Sequence, residues 1–165
     1  MFYICASSNT KGMVTAMKIS AKGRYALASA VEVARQSGVS GEYVSSVSIS
    51  KSLGISKIFL EQIMASLKKA GLVTSAKGAG GGYRFAHPIE NITAWDILAT
   101  AESALFEKTD STVSADSPNI EAAVRELVFD KLDDVIKANL ERTTLRDLLD
   151  FSNNRSDEQS FMINM

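Results

Sequence analysis

Apolar residues along this chain recur at two periods, and the change between them divides it. From Ser20 to Arg35, Tyr25, Leu27, Ala28, Val31 and Ala34 return at helical spacing behind a serine suited to cap the first turn. A second, shorter helix is predicted from Ser46 to Leu53, with Ser45 or Ser46 as its cap and Gly54 as its stop. Ser56 then opens a third, running from Lys57 to about Ala70. Its Phe59, Leu60, Ile63, Met64 and Leu67 share one face, and Gly71 ends it. Here the period drops to two. Leu72-Val73-Thr74 and Tyr83-Arg84-Phe85 alternate as the strands of a hairpin would, with Lys77 and Arg84 expected near its tip. Between them lies Gly78-Ala79-Gly80-Gly81-Gly82, a cluster suited to a tight turn.

Helical spacing resumes at Thr93, which with Asp96 three residues on forms a capping pair, and Trp95 is expected to pack the wing against this helix. Residues 100–118 are polar and read as a loop. From Pro118 to about Leu140, Ile120, Val124, Leu127, Val128, Leu132, Val135, Ile136 and Leu140 form the longest stripe in the chain. A helix of ~22 residues spans ~33 Å, more than one small domain can cover. Packing against a second copy is the expected solution, with a hairpin onto the Thr93 helix as the alternative. Thr144 caps a short helix, Leu145 to Leu149, and 151–165 reads as a polar tail with a hydrophobic end.

The architecture predicted is therefore mostly α: a winged helix-turn-helix over 17–99, a loop over 100–118, and a long dimerisation helix with a short helix over 119–150. Residues 1–16 are irregular and read as a poorly ordered leader. In a winged helix-turn-helix, the helix after the turn enters the DNA major groove with its first residues nearest the bases. Those residues are Ser56, Lys57, Ile58, Phe59, Glu61 and Gln62. Glu61 could accept from cytosine N4 and Gln62 pair with adenine. Equally, Glu61 could serve as a surface partner for Lys57 or Lys68.

Net charge for the 165 residues is −1, which alone argues against a polyanion binder. Its distribution points the other way. Residues 1–87 hold 11 Lys and Arg against 3 Asp and Glu, whereas 88–165 hold 7 against 16. A basic half joined to an acidic half points to a nucleic-acid-binding domain and a separate module.

Other chemistries find little support. The glycine loop fails the dinucleotide fingerprint, because the sixth position of Gly78-x-Gly80-x-x is Tyr83, and no Gly-Lys-Ser/Thr follows. One histidine, His87, and one cysteine, Cys5, exclude an intrachain disulfide and leave no catalytic triad. No apolar run reaches the ~18 residues of a membrane span, so the cytoplasm is the expected compartment. A winged helix that docks proteins without binding DNA remains the competing class.

Taken together, several stretches resemble one family. They are Met17-Lys18-Ile19-Ser20-x-Lys22-Gly23-Arg24-Tyr25-Ala26, Phe59-Leu60-Glu61-Gln62, Gly71-Leu72-Val73 and Lys77-Gly78-x-Gly80-Gly81-Gly82-Tyr83. These are similar, in order and spacing, to the Rrf-type transcriptional regulators, which include IscR, NsrR and the cysteine-metabolism repressor CymR. The resemblance runs from Met17 to about Leu149 and implies a DNA-binding homodimer, most often a repressor, acting on a pseudo-palindromic operator. It places Glu61 on the family's base-reading glutamate. Lys77 falls where many members carry an arginine that enters the minor groove. Lysine keeps that charge without the planar fork. It further implies DNA contacts from Lys22, Arg24, Tyr25, the wing glycines Gly78, Gly80, Gly81 and Gly82, Tyr83 and Arg84.

Cluster-bearing members carry three cysteines in the stretch equivalent to 100–118. This chain has none there, so no iron–sulfur cluster and no metal is expected, and the cluster-free CymR is the nearest type. The C-terminal run Asp157-Glu158-Gln159-x-x-Phe161-Met162-Ile163 is also similar to the end of CymR. That likeness implies cysteine synthase as a partner, captured through the hydrophobic terminus. The chain ends in Met165 rather than isoleucine, and a plain tail is the alternative.

Overall fold

Serine and threonine caps set the frame of the molecule, seen in a computed structural model. It describes residues 19–38, 41–102 and 118–163, with the backbone alone for 118 and 156–163. The leader 1–16, the Met17-Lys18 start of the first motif and Met165 lie outside the described residues.

Helix α1 (Ala21–Ser37) starts where the Ser20 hydroxyl accepts the Gly23 N–H at 3.2 Å. Helix α2 (Ser46–Leu53) starts at Ser45, whose hydroxyl takes the Ser48 N–H at 3.1 Å. It stops at Gly54, in the left-handed conformation that spares a side chain. Ser56 caps α3 (Lys57–Lys69) through the Phe59 N–H. Two antiparallel strands follow, β1 (Val73–Ala76) and β2 (Gly82–Phe85), with Val73 opposite Phe85 and Ala76 opposite Gly82. Strand β1 begins one residue and ends two residues nearer the loop than expected, while β2 begins one residue nearer and ends at Phe85 as expected. After a 3-10 turn at Ile89–Asn91 comes α4 (Ala94–Ala101), whose Thr93–Asp96 capping box is fully formed.

The long helical stretch runs as α5 (Pro118–Val124), a π turn (Arg125–Phe129) and α6 (Asp130–Arg142), two residues beyond the expected end. Thr144 and Asp147 form a second capping box at the head of α7. Helix α7 (Leu145–Ile163) is not the short element expected, because residues 150–160 contain no glycine or proline to end it.

The core gathers α1, α3, α4 and the hairpin around Val33, Ile49, Leu60, Ile63, Met64, Leu67 and Ile97. Two departures from the sequence reading concern this core. The buried face of α1 is Ala26, Ala30, Val33 and Ala34, while Tyr25 is exposed and Leu27 and Val31 lie at the margin. Small residues let α1 approach its neighbours closely, so the largest apolar side chains sit beside the contact instead of inside it. Leu145 and Leu149 of α7 complete the same core from the far end of the chain. Paired backbone bonds hold that helix in place, from Ala94 N–H to the Thr143 carbonyl and from Leu145 N–H to the Ile92 carbonyl, both 2.8 Å.

A buried carboxylate fixes α2 against α1. Glu32, only 7% exposed, takes a two-pronged bond from Arg35 (Nε–Oε2 2.9 Å, Nη2–Oε1 2.6 Å) and another from Gln36. Ser48 of α2 donates to the Gln36 Oε1 at 2.6 Å. Burial opposes ionisation of Glu32, but the bonds from Arg35, Gln36 and Ser52 and the Arg35 charge outweigh it, holding the carboxyl at about 2.

Candidate nucleic-acid interface

Helix α3 buries Leu60, Ile63, Met64 and Leu67, which turns Lys57, Ile58 and Gln62 outward at its N-terminal end. Ile58 is 72% exposed, an apolar group largely uncovered among the described residues. Phe59 instead leans on the core and meets Tyr25 edge-on, ring centroids 5.7 Å apart. That contact makes Phe59 a packing residue that positions Tyr25. The Ser56 hydroxyl is occupied as an acceptor by its capping bond. Lys57 Nζ lies 3.5 Å from Glu61 Oε1, the surface pairing that the spacing allowed. Exposed pairs of this type contribute well under ~1 kcal/mol, so Glu61 can exchange Lys57 for a base donor at little cost.

The wing stands beside this helix and is fastened to it by a side-chain bond. Lys68 Nζ donates to Ser75 Oγ of β1 at 2.6 Å, a role its dipole-favoured position at the helix end did not reveal. Tyr83 of β2 lies within the field of Glu61. Burial first, and that carboxylate second, push the Tyr83 hydroxyl above its ordinary range. On the other edge of the hairpin Val44 pairs with Tyr83 through two 2.8 Å backbone bonds, an isolated bridge that lies beside the two-stranded sheet as a one-residue third strand.

Glycine is required at particular points of the wing. The Gly81 N–H closes the turn onto the Gly78 carbonyl at 3.0 Å. A Cβ on Gly82 would lie 2.0 Å from the Val44 carbonyl oxygen, so the third strand can approach only where the side chain is absent. Gly80 differs. Nothing lies within 4 Å of the place its Cβ would occupy.

Lys77 is exposed at the start of the loop. Arg84 is not near the tip as expected. It sits in the body of β2 opposite Thr74, its guanidinium 4.6 Å from the centre of the Tyr43 ring. Tyr43 had no sequence signal, lying in a short polar stretch between glycine and serine. Lys22 and Arg24 are exposed in the first turn of α1, which has no acidic residue. Cations at a helix N-terminus oppose its dipole, so the fold does not account for them, whereas a phosphate would.

The stripe of the long helix is largely bare. Ile120, Leu127, Val128, Leu132 and Val135 are each more than half exposed, and Val124 is 39% exposed. Phe129, omitted from the sequence reading, joins them at 50%. Ile136 and Leu140 are half-buried where α6 lies along α4. Trp95 meets this same helix, with Lys137 Nζ 5.6 Å from its ring centre.

A three-helix core, a turn-separated outward-facing helix and a three-stranded wing define a winged helix-turn-helix regulator. The chain belongs to the Rrf2 family, described as iron-dependent transcriptional regulators, whose family model matches residues 19–150. Over 89% of this chain and 100% of the relative it is 36% identical to the transcriptional regulator CymR of Bacillus subtilis. It is 40% identical to IscR of Cereibacter sphaeroides over 54% of this chain, a match spanning only 57% of that relative's length. The solved structure of CymR, described as the global cysteine regulator of B. subtilis, superposes with a TM-score of 0.66 at 34% identity, covering 82% of this chain and 98% of that one. These relatives are regulators of transcription and not enzymes.

The family description names iron, and the donor set here does not suit it. The chain has one cysteine and one histidine, and among the described residues no three His, Cys, Asp or Glu side chains converge as metal ligands. Cluster ligation needs several thiolates, or thiolates with imidazoles, aimed at the irons. Among the described residues no helix is long and apolar enough to cross a membrane.

Proposed function

We propose that this protein is a homodimeric, sequence-specific DNA-binding repressor that works without an iron–sulfur cluster, in the control of cysteine or sulfur metabolism. The observation that carries the reading is the coupling of α3 to the wing through the Lys68–Ser75 bond. It presents a polar helix N-terminus and a cationic, glycine-tipped loop as one unit. In this reading Glu61 and Gln62 reach base edges in the major groove. Lys57, Lys77, Lys22 and Arg24 neutralise phosphates, and the bare face from Ile120 to Val135 pairs two subunits over a pseudo-palindromic operator. Similarity along the whole length of CymR supports the sulfur assignment. The same likeness supports cysteine synthase as a partner, engaged by the C-terminal end of α7.

Gel-shift titration on genomic fragments at several salt concentrations tests the DNA reading. A steep fall of affinity with salt is expected, and salt-insensitive capture of a protein with no DNA shift would favour the docking module instead. Calorimetry with cysteine synthase, comparing the intact chain with one ending at Gln159, tests the partner. Absence of binding by the intact chain would remove the sulfur assignment. An anaerobic preparation carrying stoichiometric iron and sulfide would overturn the cluster-free reading.

A further inference from the structure

Strand β2 and the segment that follows it meet α1 and α7 around a cleft of about 630 Å³. Three arginines line it, Arg35 from α1, Arg84 from β2 and Arg146 from α7, against a single lining carboxylate, Glu90. Their states differ. Arg35 is held by both oxygens of Glu32. Arg146 donates to Glu90 Oε1 through Nε at 3.1 Å and Nη2 at 2.8 Å, with Asp150 at 3.9 Å. Arg84 rests on the Tyr43 ring and makes no ion pair among the described residues. Glu32 answers Arg35, and Glu90 with Asp150 answers Arg146, so Arg84 is the one of the three arginines without a carboxylate partner among the described residues. Apolar groups, Ala34, Phe85, Pro88, Ile89 and Leu149, complete the walls.

We propose that this cleft is an effector site for a small organic monoanion, a carboxylate head with a short apolar body. The guanidinium of Arg84 offers a planar fork that matches a carboxylate in two-pronged fashion. Phe85, Ile89 and Leu149 offer the surface that an apolar body would cover, and the volume lies within the range of small-molecule sites. A bound carboxylate would draw Arg84 from Tyr43. Because Tyr83, next to Arg84, carries the Val44 bridge and lies within the field of Glu61, the ligand would bear on the angle between wing and recognition helix. The coupling to DNA rests on the regulator reading above; the binding does not.

The test is isothermal calorimetry of the full chain with straight-chain monocarboxylates from acetate to octanoate, with hexanamide as the uncharged control. Saturable binding that tightens with chain length is expected, with none for the amide. Arg84→Gln should weaken octanoate at least about tenfold. Asn153→Trp, an exposed α7 position lining the cleft, should block it while keeping every charge. Octanoate should also shift operator affinity in the unmodified protein but not in Asn153→Trp. Absence of saturation by about 20 mM would overturn the site, as would equal binding to both variants. Saturable binding that leaves operator affinity unchanged would overturn the coupling. A chain that binds octanoate but never DNA would refute the regulator reading and leave the cleft standing.

Discussion

Replacing Gly82 by alanine offers the sharpest check on how the wing is built. The new methyl carbon would lie 2.0 Å from the Val44 oxygen and 2.4 Å from its carbonyl carbon, in a backbone conformation with φ of +151°. Ordinary contact requires more than a further ångström, and Val44 is backbone, so the third strand must withdraw. Withdrawal removes two backbone bonds of 2.8 Å, each contributing about 0.5–1.5 kcal/mol net. The unusual φ adds roughly 1 kcal/mol of strain. Together Gly82→Ala should cost about 2–4 kcal/mol, which in a chain of this size lowers Tm by roughly 4–16 °C. Urea unfolding followed by the fluorescence of Trp95, the one tryptophan, measures it directly. Gly80→Ala is the control, with open space around it and an unexceptional φ, and should stay within about 0.5 kcal/mol of the parent. A Gly82→Ala protein unfolding at the parent midpoint, or a Gly80→Ala loss of the same size, would refute the three-stranded wing.

Three further outcomes are expected. The Glu32 carboxyl ionises near 2 in the folded chain against 4.5 as its ordinary value, so its stabilisation is complete above pH 4.5 and fades as pH falls through about 2. Glu32→Gln should therefore lose on the order of 2–3 kcal/mol at pH 7, with the two urea midpoints converging towards pH 2. Leu127→Asp sets a charge on the bare apolar face. It should shift the protein from dimer to monomer in light scattering, with a dimer constant weakened at least about a hundredfold and helix content unchanged. Glu61→Ala should relax selectivity at one operator position by about 1–3 kcal/mol, whereas Lys77→Ala should weaken all sequences alike and lower the salt slope by roughly one.

Local signals carried most of the fold into view from the sequence. Ser20, Ser45, Ser56, Thr93 and Thr144 each cap the helix they precede, because a short side-chain oxygen before an apolar period has few other uses. The glycine run declared the wing for a similar reason. What escaped were relations that no local pattern encodes. The buried face of α1 is made of alanines, which hydrophobic periodicity weighs lightly against Tyr25 and Leu27. Leu145 and Leu149 join a core whose other members lie 40 or more residues away in the chain. Arg84 looked like a tip residue because strand register, not composition, decides which cation reaches the loop. The stacking partner Tyr43 and the bridging role of Lys68 belong to the same class, being products of tertiary contact alone.

The π turn within the long helix has a consequence for spacing along DNA. Ile120, Val124, Val128 and Leu132 follow one another at intervals of four, and in an unbroken α-helix each such step drifts by roughly 40°. Over three steps Leu132 would point about 120° away from Ile120. The wider turn at Arg125–Phe129 winds less per residue and so offsets part of that drift. In the proposed dimer the helix then acts as a straightened ruler, its phase fixing the separation and the relative rotation of the two reading heads. Operator half-site spacing would thus be written in five residues far from any base. Deleting one of them would rotate the α5 end of the seam by roughly 100° while leaving every DNA-contacting side chain in place.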